Sequence, residues 1–260
     1  IFMLYSILCI RTNTILFKSN FMRFSTLNES KLHKTLKKIY SEIYDGKTEI
    51  ELYGYIYDIV TENKNIIEIQ TKNLAKLLPK ILDTIEKGHN IKIVHPIVIK
   101  KSIEMHSSNG TIISMRKSPK TGSIYDIFWE LTGIYSVLLN KHFSLEIVEI
   151  DMIEERIMTE KPVQSKNGKR RFKKDWIKSD KRLDKIIDTR HFDEKKDFLD
   201  LLPKNLPQEF CAKDIKNKLK ENKLSSRILN NANLIIWVFN KMELIEYTTT
   251  KNRFRYYKLR

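Results

Sequence analysis

Residues 53–72 constrain the fold of this chain more than any other stretch of its sequence. They form two short apolar runs joined by a polar turn at Thr61 to Asn65. Runs of this length, rich in β-branched and aromatic residues, predict a pair of β-strands. Each run carries one carboxylate, Asp58 in the first and Glu68 in the second. An acidic side chain is rarely placed inside an apolar strand unless it is paired or binds a metal.

The residues after Glu68 extend this polar pattern. Side chains alternate between the two faces of a strand, so a strand over 66–71 would direct Glu68, Gln70 and Lys72 to the same side. Mg²⁺ prefers one or two carboxylates together with water and phosphate oxygens. We therefore predict a site for Mg²⁺ or Mn²⁺ with Asp58 and Glu68 as its ligands.

This pattern resembles the PD-(D/E)XK nuclease superfamily, whose core is a helix with an acidic residue, a strand with Asp, a strand with Glu-x-Lys and a further helix. The resemblance covers roughly residues 25–115 and is carried by Asp58 and by Glu68-Ile69-Gln70. Gln70 stands where the superfamily usually has Lys, although some members tolerate Gln or supply the amine from nearby. The resemblance implies a restriction-endonuclease-like mixed β-sheet flanked by helices. It also implies a catalytic set of Glu29, Asp58, Glu68, Gln70 and Lys72.

Glu29 belongs to this set on weaker grounds. It lies near the start of a predicted helix over 26–44, one turn before Leu32 and on the apolar face of that helix. The resemblance implies that Glu29 is the additional acidic residue of the superfamily. A Glu at the N-terminus of a helix is also favoured by the helix dipole alone, so both interpretations stand.

The sequence up to about residue 160 predicts an alternating α/β pattern. A helix over 73–87, which Pro79 should kink or split, stands between two strands, and this spacing implies a parallel strand pair. Asn109-Gly110 predicts the turn of a β-hairpin. A helix over 123–140 and a strand over 145–153 follow.

The basic residues are concentrated in the second half of the chain. The formal net charge is +16, and residues 163–260 hold 26 basic against 13 acidic residues. Such asymmetry indicates a polyanionic partner, most simply nucleic acid. The predicted DNA contacts within this region are Lys169, Arg170 and Arg171 in a basic linker over 161–191. Arg116, Lys117 and Lys120, in the loop after the hairpin and outside this region, are further predicted contacts. A solvated loop and a plain solubilising linker are the alternatives.

Residues 192–260 predict three helices followed by a hairpin. The segment from Phe210 to Leu259 resembles a winged helix-turn-helix in the order and length of its elements. In that architecture the third helix enters the major groove of DNA by its N-terminal end. The implied DNA contacts are Ser226, Arg227, Asn230 and Asn231 on the helix, and Lys251, Arg253 and Arg255 on or beside the wing. Winged helices that bind protein instead of DNA are the alternative.

The fold class predicted for the whole chain is α/β, with a small α+β winged-helix domain added. We expect the true start near Met22, and the predicted organisation is a tail or mis-assigned start at 1–24, the nuclease-like domain at 25–160, the linker at 161–191 and the winged helix at 192–260. Cys9 and Cys211 are far apart and lack a motif, which fits a reducing cytoplasm. The apolar run at 1–10 is too short to span a membrane. We therefore expect a cytoplasmic protein without a membrane partner.

Three functions agree with these patterns. The first is a Mg²⁺-dependent deoxyribonuclease that binds DNA through a C-terminal winged helix. The second is a DNA-binding regulator whose nuclease-like domain is inactive, which Gln70 favours. The third is a protein-binding module without a nucleic-acid role. The sequence leaves the oligomeric state open, a homodimer included.

Overall fold

The computed structural model describes residues 29–260. The expected tail and the expected start near Met22 lie outside these residues. The element order begins with a helix, three strands, a helix and a strand, and it includes the predicted pair of strands within 53–72. The bounds up to β7 are α1 Lys31–Ile43, β1 Lys47–Leu52, β2 Tyr55–Val60, β3 Ile66–Ile69, α2 Leu78–Glu86, β4 Ile91–His106, β5 Ile112–Lys117, α3 Phe128–Leu131, β6 Phe143–Val163 and β7 Lys174–Phe192.

One mixed sheet of seven strands forms the centre of the fold, in the order β1-β2-β3-β4-β6-β7, with β5 paired to β4. Strands β1, β2 and β3 form an antiparallel meander. Strand β4 is parallel to β3 and to β6. The predicted parallel pair around α2 is therefore confirmed, and so is the hairpin turn between β4 and β5. The general prediction of an α/β fold with a mixed sheet between helices is also confirmed.

Helices cover both faces of the sheet because successive strand residues alternate between two apolar clusters. Leu32, Leu36 and Tyr40 of α1 pack with one cluster. Ile81 of α2 and Phe128 of α3 pack with the other. In β4 the neighbours Ile93 and Val94 belong to different clusters, so they face opposite sides. Helices α1 and α2 therefore lie on opposite faces of the sheet.

Two predicted helices are shorter than expected. Pro79 lies in the first turn of α2, where its missing N–H has no helical partner to lose. It separates α2 from a 3₁₀ turn at Leu74–Leu77, so the predicted split is confirmed. The helix predicted over 123–140 begins as a 3₁₀ turn at Ile124–Ile127 and continues through α3 into turns closed by i to i+3 hydrogen bonds.

The segment predicted as a linker, 161–191, is β-structure. Strand β6 extends to Val163, and β7 returns antiparallel to it from Lys174 to Phe192. The tip of this hairpin is the basic stretch between the two strands. Much of β7 is exposed, so its sequence lacks the alternation of apolar residues that marks a half-buried strand. Pairing with β6 specifies this strand, and the linker prediction is wrong.

The C-terminal part contains four helices and a two-stranded hairpin. They are α4 Lys195–Leu199, α5 Ala212–Glu221, α6 Ser226–Leu229, α7 Ala232–Lys241, β8 Ile245–Lys251 and β9 Phe254–Leu259. The third predicted helix is thus divided into α6 and α7. A single β-bridge joins Phe210, just before α5, to Tyr257 of β9.

The C-terminal part packs directly against the helical segment around α3. The ring of Phe239 meets that of Phe128 edge-on, with centroids 5.4 Å apart. These residues belong to one apolar cluster that runs from the sheet into α5 and α7. Among the described residues, no helix has the length and apolar character needed to cross a membrane.

Candidate metal centre and its surroundings

Strands β2 and β3 separate at the two predicted metal ligands. They share only two residue pairs, both next to the turn. Beyond these pairs, the Glu68 carboxylate accepts a hydrogen bond from the N–H of Asp58 at 3.1 Å. The Asp58 carboxylate accepts one from the N–H of Ile69 at 2.9 Å. Each carboxylate therefore binds the backbone of the other strand, and the acidic pair fills the gap that the ladder leaves.

The Asp58 carboxylate meets side chains from α1. His33 Nε2 lies 3.4 Å from Asp58 Oδ2, and His33 Nδ1 lies 3.4 Å from Glu29 Oε1. One ligand atom from each of Glu29, His33 and Asp58 lies within 4.8 Å of the others. His33 Nε2 also donates to the carbonyl of Ile69 at 2.7 Å. These residues form the candidate metal centre, and Glu29 is one of them.

Lys37 completes this group and is itself only 6% exposed. Its ammonium lies 2.9 Å from Glu29 Oε1, 2.9 Å from Glu49 Oε1 and 3.7 Å from Asp58 Oδ1. Three carboxylates therefore surround one ammonium, which leaves two negative charges when the imidazole of His33 is neutral and one when it is protonated. A divalent cation would balance the charge of the group with neutral His33.

The charges at this centre shift the pKa values of its members in opposite directions. Burial alone would raise the pKa of Asp58, but the hydrogen bond and charge of His33, together with Lys37, hold it below its usual range. Burial alone would lower the pKa of His33, but Asp58 and Glu29 raise it. The pair thus favours a carboxylate beside an imidazolium.

Glu68 has a different partner on the opposite face of the sheet. Its side chain is buried, and its Oε1 lies 2.5 Å from the ammonium of Lys80 on α2. Lys80 also donates to the carbonyl of Ile56 at 2.7 Å and lies 4.3 Å from the ring centre of Tyr57. Burial raises the pKa of Glu68, the charge of Asp58 adds to the rise, and Lys80 opposes it.

Gln70 and Lys72 do not continue the strand face of Glu68. Strand β3 ends at Ile69, and Lys72 lies exposed in a bend beyond it. The side-chain amide of Gln70 donates to the carbonyl of Asn73 at 3.3 Å, while the carbonyl of Gln70 accepts from His95 Nδ1 at 2.7 Å. The predicted alignment of three side chains on one face is therefore wrong for Lys72, because the strand is two residues shorter than predicted.

His33, Lys37 and Lys80 are the members of this site that sequence reasoning missed. His33 and Lys37 occur one helical turn apart on α1, and His33 follows Glu29 at the same spacing. This spacing of four residues predicts that the three side chains lie on one face of a helix, and it could have identified His33 and Lys37 as neighbours of Glu29. No local sequence pattern identifies Lys80. It lies on α2, and only the packing of this crossover helix against the sheet brings it to Glu68.

The predicted DNA contacts in the sheet domain lie at its surface. Arg116, Lys117 and Lys120 are exposed at the end of β5 and in the loop after it. Lys169 and Arg171 are exposed at the tip of the β6–β7 hairpin. Arg170 instead stacks on Trp176 at 4.1 Å from the ring centre and donates to the carbonyls of Val163 and Trp176.

Two of the predicted contacts in the C-terminal part are engaged within the protein. Arg227 forms a two-pronged ion pair with Asp126, in which Nη2 lies 2.8 Å from Oδ2. Asn231 is 1% exposed and accepts a hydrogen bond from Trp129 Nε1 at 3.0 Å. Asn231 therefore does not reach the surface in this conformation.

The other predicted contacts in the C-terminal part remain at the surface. They are Ser226 and Asn230 around α6, and Lys251, Arg253 and Arg255 on the final hairpin. Lys251 lies 3.2 Å from Glu209. A cleft of about 550 Å³ beside these elements is lined by residues from Leu199 to Phe210 and by Lys258 and Leu259, away from the candidate metal centre.

The chain belongs to a protein family defined by a shared domain. Residues 30–193, from the start of α1 to the end of β7, match the family described as Domain of unknown function (DUF8091). A similar protein is an uncharacterized protein from Treponema pallidum (strain Nichols). It is 32% identical over 196 residues, which cover 75% of this chain and 74% of that protein. No solved structure matches this chain.

Proposed function

We propose that this protein is a divalent-metal-dependent deoxyribonuclease of the PD-(D/E)XK kind. The observation that carries the proposal is the approach of Glu29, His33 and Asp58 to within 4.8 Å of one another, at the place where the ladder between β2 and β3 ends. Glu29 directly precedes the N-cap of the first helix, Asp58 and Glu68 lie on the second and third strands of the meander, and a crossover helix follows. This is the element order in which the superfamily carries its acidic residues.

The donor set suits a divalent cation. Carboxylate and carbonyl oxygens are the ligands that Mg²⁺ and Mn²⁺ prefer, and Glu29, Asp58 and the carbonyl of Ile69 supply them around His33. Glu68, the second predicted ligand, lies on the opposite face of the sheet with Lys80, so the ion would be held by the α1 side of the site without it. A bound ion would polarise the scissile phosphate and lower the pKa of an attacking water.

The remaining residues of the site position these groups. Lys80 fixes Glu68 through their ion pair. His33 is itself hydrogen-bonded to the carbonyl of Ile69, and from that position it orients the carboxylate of Asp58. Lys37 limits the negative charge that an incoming phosphodiester would meet.

DNA binding by the C-terminal part belongs to the same proposal. Helices α5, α6 and α7, the β8–β9 hairpin and the bridge between Phe210 and Tyr257 follow the order of a winged helix. Arg253 and Arg255 extend from the hairpin that would be its wing. Exposed basic side chains at a wing suit contacts to backbone phosphates.

A second candidate function is a DNA-binding regulator with an inactive nuclease-like domain. One observation favours it: protein cations already hold both strand carboxylates. His33 and Lys37 lie at Asp58, and Lys80 lies at Glu68. Ion pairs of this kind also stabilise a site that no longer binds metal. Metal affinity separates the two functions.

The test is cleavage of plasmid and branched DNA with Mg²⁺ or Mn²⁺. We expect cutting by the unmodified protein and its loss in Asp58→Asn and Glu68→Gln, which keep the side-chain size. Glu62→Gln is the matched control, because Glu62 is an exposed acid in the turn between the same two strands. Equal cutting by all three variants would exclude this site.

Titration calorimetry with Mn²⁺ decides between the two candidates. Heat of binding that disappears in Asp58→Asn supports the nuclease. Absence of metal binding together with salt-dependent DNA binding supports the regulator. Negligible DNA affinity at about 0.1 M salt would exclude both and favour a protein-binding role.

A further inference from the structure

Lys181 of β7 is a half-buried lysine that reaches the end of β3. Its ammonium donates a hydrogen bond to the hydroxyl of Thr71 at 3.1 Å. Thr71 follows Glu68 by three residues, so this ammonium lies at the strand end beside the candidate metal centre. Lys72, the next residue, is exposed at the same place.

The ammonium of Lys181 has no carboxylate partner. Among residues 29–260, no acidic oxygen lies within 4.0 Å of it, although β6 and β7 carry several acids nearby. Glu154, which pairs with Lys181 across the strands, is bound by Lys101, Arg156 and Lys178 at 2.6–3.1 Å. Residues 1–28 contain no Asp or Glu, so they cannot supply a carboxylate either.

The adjacent acid on β7 is also engaged. Asp180 Oδ1 accepts hydrogen bonds from the backbone N–H of Lys31 at 3.1 Å and from that of Lys181 at 2.7 Å. The fold therefore places a partly desolvated cation next to acids whose oxygens other groups already bind. Such an arrangement is unfavourable unless an anion completes it.

The bend after β3 adds donors on the same side. Within the described part of the chain, the backbone N–H groups of Thr71, Lys72 and Asn73 have no acceptor. The carbonyl of Gln70, just before them, is fixed by His95 at 2.7 Å. Successive free N–H groups beside basic side chains form a concavity that suits an anion.

We propose that Lys181, Lys72 and Thr71 form a phosphate-binding site that takes a backbone phosphodiester of a polynucleotide. Thr71 lies two residues beyond the end of β3, the strand that carries Glu68, so a phosphate held there would lie at that end of the strand. This inference deepens the proposed function, because it names the residues that hold the substrate backbone. It requires no metal and no bond cleavage.

The pKa of Lys181 agrees with this geometry. Burial, followed by the charges of Lys72 and Lys178, lowers this pKa to about 8, and Asp180 opposes the shift. The ammonium is therefore destabilised by its surroundings in the free protein. A bound phosphate would reverse this and raise the pKa.

The experiment measures binding of a labelled DNA duplex by anisotropy in EDTA at several salt concentrations. We expect Lys181→Met to weaken binding by about tenfold or more and to reduce the salt slope by about one. Lys72→Met should also weaken binding. Lys185→Met is the matched control, because Lys185 is an exposed lysine of the same strand and lies 3.7 Å from Asp151. It should bind like the unmodified protein.

The melting temperature separates a binding role from a structural one. Since Lys181 is an unpaired cation, Lys181→Met should melt at the same temperature as the unmodified protein or higher. Should Lys181→Met fail to fold, Lys72→Met carries the test, because Lys72 is exposed. Unchanged affinity and salt slope in both variants would overturn the proposal.

Two further measurements test the site: stabilisation of the protein by inorganic phosphate and the pH dependence of DNA binding. Stabilisation by phosphate, lost in Lys181→Met, together with unchanged DNA binding would show a site for free anions and overturn the polynucleotide assignment. DNA affinity should fall as pH rises through about 8, because Lys181 loses its proton there. The other titratable groups around Lys181 are Lys72, Lys178, Asp180 and His95. Since EDTA prevents cutting, these results are independent of whether the protein is a nuclease.

Discussion

Glu68 and Lys80 form an ion pair that water hardly reaches. Their side chains are 7% and 12% exposed, and the Glu68 carboxylate also holds the backbone of β2. When one partner of a buried pair is removed, the other is left charged in a medium of low dielectric constant. The pair therefore contributes to the stability of the region where β2 and β3 separate.

We expect Glu68→Ala to lower the free energy of unfolding by about 3–5 kcal/mol, because Lys80 is then left unpaired. The double variant with Glu68→Leu and Lys80→Met should recover most of this loss, since it removes both charges and retains the packing. Urea unfolding measures both. A loss in the double variant as large as in Glu68→Ala would show that packing, and not the unpaired charge, causes the effect.

At this scale the sequence predicted the acidic residues better than their partners. Asp58 and Glu68 were identified because acids inside apolar strands are unusual, and Glu29 because it lies on the apolar face near the start of the helix predicted over 26–44. Lys80 and Lys181 lie 12 and 113 residues after Glu68. Their approach depends on the crossover of α2 and on the pairing of β7, which local patterns do not reveal.

The β6–β7 hairpin is the element that most changes the interpretation of the charge distribution. The basic stretch predicted as a linker is the tip of a two-stranded ribbon. Arg156 and Arg170 stack against Trp176 at 3.6 and 4.1 Å from its ring centre, which stiffens the ribbon below the tip. A two-stranded ribbon is narrow enough to enter the major groove of DNA.

We expect the double variant with Lys169→Gln and Arg171→Gln to bind DNA more weakly and to reduce the salt slope by about two, because each phosphate contact contributes about 0.9 to that slope. The control is Lys195→Gln with Lys196→Gln, which removes equal charge from exposed positions on α4. Anisotropy across a salt series measures both. Equal losses in both double variants would mean that net charge, and not the tip, determines affinity.

The order of the first helices and strands could be predicted from the sequence, but the full lengths of strands β6 and β7 could not. The meander and the crossover follow from short apolar runs and from the spacing around α2. Strands β6 and β7 run far beyond the apolar positions, and their outer halves are held by ladder hydrogen bonds and by ion pairs such as Arg182 with Glu104. Such strands lack the period-two signal on which sequence prediction depends.

At the scale of the whole molecule, the family boundary and the packing boundary differ. The match to the family ends at residue 193, yet Phe192 and Phe198 on either side of it have ring centroids 5.2 Å apart. Phe128 and Phe239 join the two parts again. The C-terminal part therefore shares an apolar core with the sheet domain.

We expect the protein to unfold in a single transition, because separation of the two parts would expose apolar surface on each of them. Calorimetry and urea unfolding, followed by tryptophan fluorescence and by circular dichroism, should give coincident curves. Phe239→Ala should shift the whole transition by about 3–5 kcal/mol. Two resolved transitions would show that the parts fold independently.

The contact of Arg227 with Asp126 and of Asn231 with Trp129 has a consequence for any duplex that this protein holds. Two of the side chains expected to distinguish one base pair from another are therefore bound by the protein itself, while Ser226 and Asn230 stay exposed. If the protein binds DNA as proposed, base recognition by α6 would depend on these two side chains, and the exposed basic residues of the final hairpin would contact the phosphate backbone. Binding with little dependence on base sequence is then the expected result.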